Sequence, residues 1–134
     1  MTRTFVVVLT LGALLSLAPA SAHHSFSAMY DLGRPVKVSG SVTKVDWRNP
    51  HVYFYLDAAD ATGKVVNYAI EVATPNQLQR NGWKRDSLKI GDKVSVEGFL
   101  ARDGSLHLNG RSIVMPDGRK IFSGSADGGP GSPD

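Results

Sequence analysis

Short segments of alternating apolar and polar residues, each bounded by turn residues, fill most of the chain after residue 35. Side chains of a β-strand point alternately to the two faces of its sheet, so a period of two predicts half-buried strands. Residues 51–57 alternate without a break, and Asp-Gly at positions 103–104 is typical of a tight hairpin. The inward residues expected for the second and third strands are Val52, Phe54, Leu56, Val66, Tyr68, Ile70 and Val72.

The first strand carries a change of phase. Its apolar residues follow one face from Val36 to Val42 and then switch to Val45 and Trp47. A switch without a break predicts a bulge or sharp bend near Thr43 and Lys44. Small closed barrels need such a bent strand.

A short helix is predicted after the third strand. Thr74 can cap it, Pro75 suits the first helical position, Gln77 completes a capping box and Gly82 ends it. Two more strands follow, over about residues 94–98 and 106–115, and residues 121–122 can add a last short pairing. The order predicts a mainly β fold, a small five-stranded barrel of the oligonucleotide/oligosaccharide-binding type with one short helix between strands 3 and 4. A β-sandwich or half-barrel built from the same strands stays open.

The first 22 residues have the plan of a secretory signal peptide. Arg3 precedes an apolar run from Phe5 to Leu17, and small residues follow as far as Ala22. The run is shorter than the roughly 20 residues of a membrane-spanning helix. We therefore expect cleavage near Ala22, a periplasmic or secreted protein without a stable membrane anchor, one domain over residues 23–122 and a disordered tail over 123–134.

The charge and the motifs of the chain argue against several classes of partner and activity. Lys and Arg total 15 against 12 Asp and Glu, and the basic residues are scattered, so no nucleic-acid partner is expected. The chain has no cysteine, which excludes disulfides, thiol nucleophiles and lipoprotein acylation. It also lacks a glycine-bracketed serine elbow and a phosphate-binding glycine loop, so no catalytic motif is recognised and an enzyme is not expected.

Several landmarks resemble those of a known family. They are His23-His24-Ser25-Phe26, Trp47 with Asn49-Pro50-His51, Gly82-Trp83, Leu88 with Gly91-Asp92, and Pro116 to Lys120. Together they are similar to a domain-of-unknown-function family of small exported bacterial proteins. The resemblance covers nearly all of the mature chain. It implies an exported, compact β-domain and marks His23, His24 and His51 as the motif positions to test.

The mature N-terminus is the candidate metal site. Cleavage after Ala22 would leave His23 with a free α-amine beside its own imidazole, and His24 and His51 can add two more rings. Nitrogen sites of this kind bind copper most tightly among divalent ions, with zinc and nickel weaker. The alternative is a solvated lead-in and a His51 that only caps a turn. His107 alternates with two leucines and is expected to face solvent.

A second candidate is a ligand or partner face formed by Tyr53 and Tyr55 of the second strand with Asn67 and Glu71 of the third. Aromatic rings on this surface of a barrel can stack on a small ligand, a glycan or a periplasmic protein. The alternative is that the tyrosines simply cover one side of the sheet. Glu71 could act as an acid or base if it lies beside His51.

Overall fold

The computed structural model describes residues 26–124. The predicted signal segment, His23, His24 and most of the predicted tail lie outside the described residues. The elements are β1 (Tyr30–Asp46), β2 (Tyr53–Ala59), β3 (Val65–Glu71), α1 (Pro75–Arg80), β4 (Lys93–Ala101), β5 (His107–Val114) and β6 (Lys120–Ser123), preceded by a helical turn over 26–29.

The strands form one sheet in the order β3-β2-β1-β4-β5-β6. All neighbours in this order are antiparallel, and a parallel pairing of β3 with β5 closes the sheet into a barrel-like ring. The predicted mainly β class, the five strands and the helix between the third and fourth strands are confirmed. The suggested last pairing is also present, as the short strand β6 beside β5.

Strand β1 is the long element that makes the ring possible. One part of it pairs with β4 and the other with β2, and its register slips between Val42 and Lys44, where the bend was predicted. Gly40 pairs with both neighbours, and a Cβ there would lie 1.9 Å from the carbonyl oxygen of Asp57. Only glycine fits this close approach of backbones. The strand starts earlier than expected because Tyr30 already pairs with Ala101 of β4.

Helix α1 begins as the sequence indicates, with Thr74 Oγ1 accepting a hydrogen bond from the Gln77 N–H at 3.2 Å. It contributes buried Leu78 to the core. Trp83 follows and donates its indole N–H to the carbonyl of Ile121 at 2.6 Å. This contact joins the segment after α1 to β6, so the indole closes one edge of the core.

The core lies inside the ring and is apolar. It contains six of the seven inward residues predicted for the second and third strands. The seventh, Val66, is partly buried and packs against the core. Their burial removes large apolar area from water, which is the main stabilising contribution in a domain without disulfides. None of the helices among residues 26–124 is long and apolar enough to cross a membrane.

Candidate functional site at a buried carboxylate

Glu71 is the centre of the candidate site. It is 5% exposed and is one of two buried polar residues in the described part of the chain, the other being Asn109. The Tyr30 hydroxyl donates to Glu71 Oε2, and His51 Nδ1 contacts Glu71 Oε1. Both carboxylate oxygens are therefore engaged by side chains from other parts of the chain, as a buried charge requires.

Strand register explains why His51 reaches Glu71. Tyr53 of β2 pairs directly with Glu71 of β3, so their side chains leave the same, outer face of the sheet. Pairing continues past the strand end, because Val52 donates to the carbonyl of Ala73 and accepts from the N–H of Val72. His51, two residues before Tyr53, is thereby held on that same face beside the carboxylate.

The outer face would be exposed without the N-terminal arm, which we define as residues 26–31. Phe26 and Tyr30 of the arm are buried, with their rings 5.1 Å apart. Arg102 fastens the arm to β4: its Nε donates to the carbonyls of Ser27 and Tyr30 at 2.8 and 3.1 Å, and its backbone N–H donates to Met29 at 2.8 Å. The arm thus converts an outward-facing glutamate into a buried one.

Strand β5 adds a row of polar residues to the outer face of the sheet beneath and beside the arm. His107, Asn109 and Arg111 follow at alternate positions, and Asn109 pairs in register with Glu71. The guanidinium of Arg111 lies between the rings of Phe26 and Phe99, 5.8 and 5.6 Å from their centres. Burial lowers the pKa of Arg111. Cation–π contacts stabilise the charge that burial would otherwise disfavour.

Tyr53 joins this cluster from β2. Burial, followed by the nearby Glu71 carboxylate, raises the pKa of Tyr53 above its ordinary value of 10.0. Its ring lies 5.6 Å from that of His107 and 5.1 Å from the guanidinium carbon of Arg48. His107, expected to face solvent, is instead partly buried through this contact.

The predicted ligand face divides into two parts. Tyr53 and Glu71 belong to the carboxylate cluster, whereas Tyr55 and Asn67 line a shallow groove of about 270 Å³ together with Ala69, Ser105, Leu106 and His107. The Asn67 amide donates to Asp57 Oδ1 at 2.7 Å and to Thr43 Oγ1 at 3.0 Å, so it bridges strands. The Lys44 ammonium lies 5.0 Å from the centre of the Tyr55 ring.

The His51–Glu71 pair resembles a metal-binding histidine whose second ring nitrogen is held by a carboxylate. A carboxylate only accepts, so Nδ1 donates in this contact, and Nε2 is the ring nitrogen that would bind a metal. Metal-binding histidines commonly donate their other N–H to a carboxylate in this way. Within residues 26–124, no three His, Asp or Glu side chains converge as a metal site.

Sequence reasoning missed Tyr30, Arg102, Asn109 and Arg111 as parts of this site. The spacing of His107, Asn109 and Arg111 at every second position was a usable signal for a shared outer face. The sequence gives no comparable signal for the covering of that face by Tyr30, because the two segments are far apart in the chain.

The fold and site define a small β-sheet protein whose ring of strands carries a buried carboxylate joined to a histidine and a tyrosine. A family model described as a family of unknown function, DUF6152, matches residues 13–110, and the chain belongs to that family. The predicted kinship to a family of unknown function is thus confirmed. No curated protein matches the chain.

Proposed function

We propose that this is an exported binding protein that holds copper, or a similar metal ion, through His51 and the two histidines of its mature N-terminus. The observation that carries the proposal is the contact of His51 Nδ1 with the buried Glu71 carboxylate. It orients the imidazole and selects Nε2 for the metal. A histidine that only caps a turn does not need a buried carboxylate partner.

Chain connectivity supports the participation of His23 and His24. They precede Phe26 by three and two residues, and successive Cα atoms are about 3.8 Å apart, so their backbones stay within roughly 11 Å of Phe26. Phe26 packs on Tyr30, and Tyr30 shares Glu71 with His51. Phe26, which follows this histidine segment in the chain, is thereby linked through Tyr30 and Glu71 to His51.

The first experiment tests export and the metal together. The full chain with a C-terminal tag is expressed, purified after export, and its N-terminus is read by mass spectrometry. We expect a protein that begins at His23 and binds copper(II), measured by competition with a chelator of known strength. Retention of residues 1–22 in the exported protein would contradict the cleavage that the site requires.

Two variants separate the ligands. A methionine placed before His23 and the substitution His51→Gln should each weaken copper(II) binding at least tenfold, because each removes a nitrogen ligand. Glu97→Gln, which changes an exposed side chain paired with Lys37, is the control and should bind like the wild type. If the methionine-extended form binds copper(II) as tightly as the wild type, the α-amine of His23 is not a ligand. If His51→Gln binds as tightly as the wild type, His51 is not a ligand and the proposal is refuted.

The groove beside Tyr55 favours a second candidate function, an interaction module that binds a small ligand or a protein of the same compartment without metal. Its support is the concave surface that Tyr55 and Asn67 share with Leu106, which is an exposed apolar residue. Tyr55→Ala tests it without touching the Glu71 cluster. Loss of partner capture with unchanged copper(II) affinity would favour the module, whereas unchanged capture would dismiss it.

A further inference from the structure

A second group of metal-binding atom types lines a cavity beside the arm. A cavity of about 240 Å³ separates the arm from the hairpin between β4 and β5. Pockets for small organic ligands are usually roughly 300–1,000 Å³, so this cavity is better matched to an ion with its donor groups. Its lining residues are Ala28, Met29, Tyr30, Ala101, Asp103 and His107.

The two methionines of the expected mature chain differ in a way that matters here. Met115 packs against the hydrophobic core, which is the usual role of a thioether in a small protein. Met29 is 50% exposed and lines the cavity instead. Core filling therefore explains Met115 but does not explain Met29.

His107 and Asp103 supply the other donors. The His107 ring packs on Tyr53 and lines the cavity. Hydrogen bonds from Ser105 lower the pKa of Asp103, and the nearby His107 lowers it further, so this carboxylate is charged at neutral pH. One cavity thus presents a thioether, an imidazole and a negative charge.

We propose that this cavity binds a soft monovalent cation, copper(I), with the Met29 sulfur and the His107 imidazole as ligands and the Asp103 carboxylate balancing the charge. Thioether and imidazole donors together select copper(I) over the hard cations Mg²⁺ and Ca²⁺. No electron transfer is part of the proposal. It is independent of the copper(II) site, since the two sites share no ligand.

Silver(I), a redox-inert monovalent probe of soft sites, tests the proposal in the exported protein labelled with ¹³C at the methionine methyl groups. We expect the Met29 methyl resonance to shift until one equivalent of silver(I) is added, while the Met115 methyl stays in place and reports an intact core. Met29→Leu should lower silver(I) affinity at least tenfold, and Met115→Leu is its matched control. An unmoved Met29 methyl, or equal losses in the two variants, would overturn the site.

His107→Gln separates a two-donor site from an exposed thioether alone. The silver(I) affinity reported by the Met29 methyl shift should fall at least tenfold in His107→Gln and should be unchanged in His51→Gln. If His107→Gln responds like the wild type, His107 is not a ligand and the proposal fails. The copper(II) experiment can fail without altering this result, because it depends on His23, His24 and His51.

Discussion

Tyr30 and His51 contact opposite oxygens of a single carboxylate, that of Glu71. One partner comes from the N-terminal arm and the other from the residues just before β2, so Glu71 joins three separate parts of the chain. The carboxylate can transmit the position of the arm to the imidazole. Because of this shared contact, we expect docking of the arm and the proposed copper(II) binding to be coupled.

Glu71→Gln should lower copper(II) affinity by roughly 10–100-fold, the usual effect of losing a carboxylate that supports a metal-bound histidine. The glutamine keeps the size of the side chain but not its charge. The other glutamate, Glu97, is exposed and pairs with Lys37 at 3.1 Å, so Glu97→Gln is the matched control. Chelator competition measures both. A Glu71→Gln protein that is folded and binds as tightly as Glu97→Gln would show that Glu71 has no role in binding.

Arg102→Gln should loosen the arm. The substitution removes the Nε hydrogen bonds to Ser27 and Tyr30, and hydrogen bonds that involve a charged group contribute about 1.5–3 kcal/mol each. We expect faster amide hydrogen exchange in residues 26–31, measured by mass spectrometry, and weaker copper(II) binding. Arg119→Gln is the control, since Arg119 is exposed and pairs only with the nearby Asp117 within the described chain. Unchanged exchange in the arm would show that Arg102 does not fasten it.

Tyr53 gives the stability of the protein a dependence on alkaline pH. Because the folded-state pKa of Tyr53 is raised, its contribution to stability is fully present below the ordinary value of 10.0 and is lost as the pH rises through the folded-state value. Tyr53→Phe should therefore show a smaller loss of unfolding free energy between pH 9 and 11, measured by urea unfolding.

Tyr55→Phe is the matched control for the loss of a tyrosine hydroxyl from the same face of β2. Tyr55 follows Tyr53 by two residues in β2 and so lies on the same outer face, but it lines the groove rather than contacting Glu71. Parallel curves for the wild type and Tyr53→Phe would contradict the assigned effect of Tyr53.

Asn109→Leu should stabilise the protein. The Asn109 side chain is fully buried, and neither its nitrogen nor its oxygen finds a hydrogen-bond partner in the described residues. Such an amide costs about 1–3 kcal/mol, which an apolar residue of similar shape recovers. Asn67→Leu is the control, because Asn67 donates two hydrogen bonds and should not gain stability. A loss of unfolding free energy in Asn109→Leu would mean that the amide has a partner in solution.

Local features of the fold were predictable because they depend on neighbouring residues. Alternation located β2 and β3, the change of phase located the bulge after Val42, and the Thr74 cap located α1. The same alternation put Glu71 on the face opposite the core residues Ile70 and Val72. These properties follow from backbone geometry and the period of the side chains.

The sequence by itself determined the β class, the order of the elements and the outward direction of Glu71. Only the tertiary structure decided that Glu71 is buried and that it meets His51, because the Tyr30 that covers it is 41 residues away in the chain. It also decided that Met115 packs against the core and Met29 lines a cavity, although the two residues are chemically identical. Periodicity reports which way a side chain points, whereas burial depends on which distant segment packs over it.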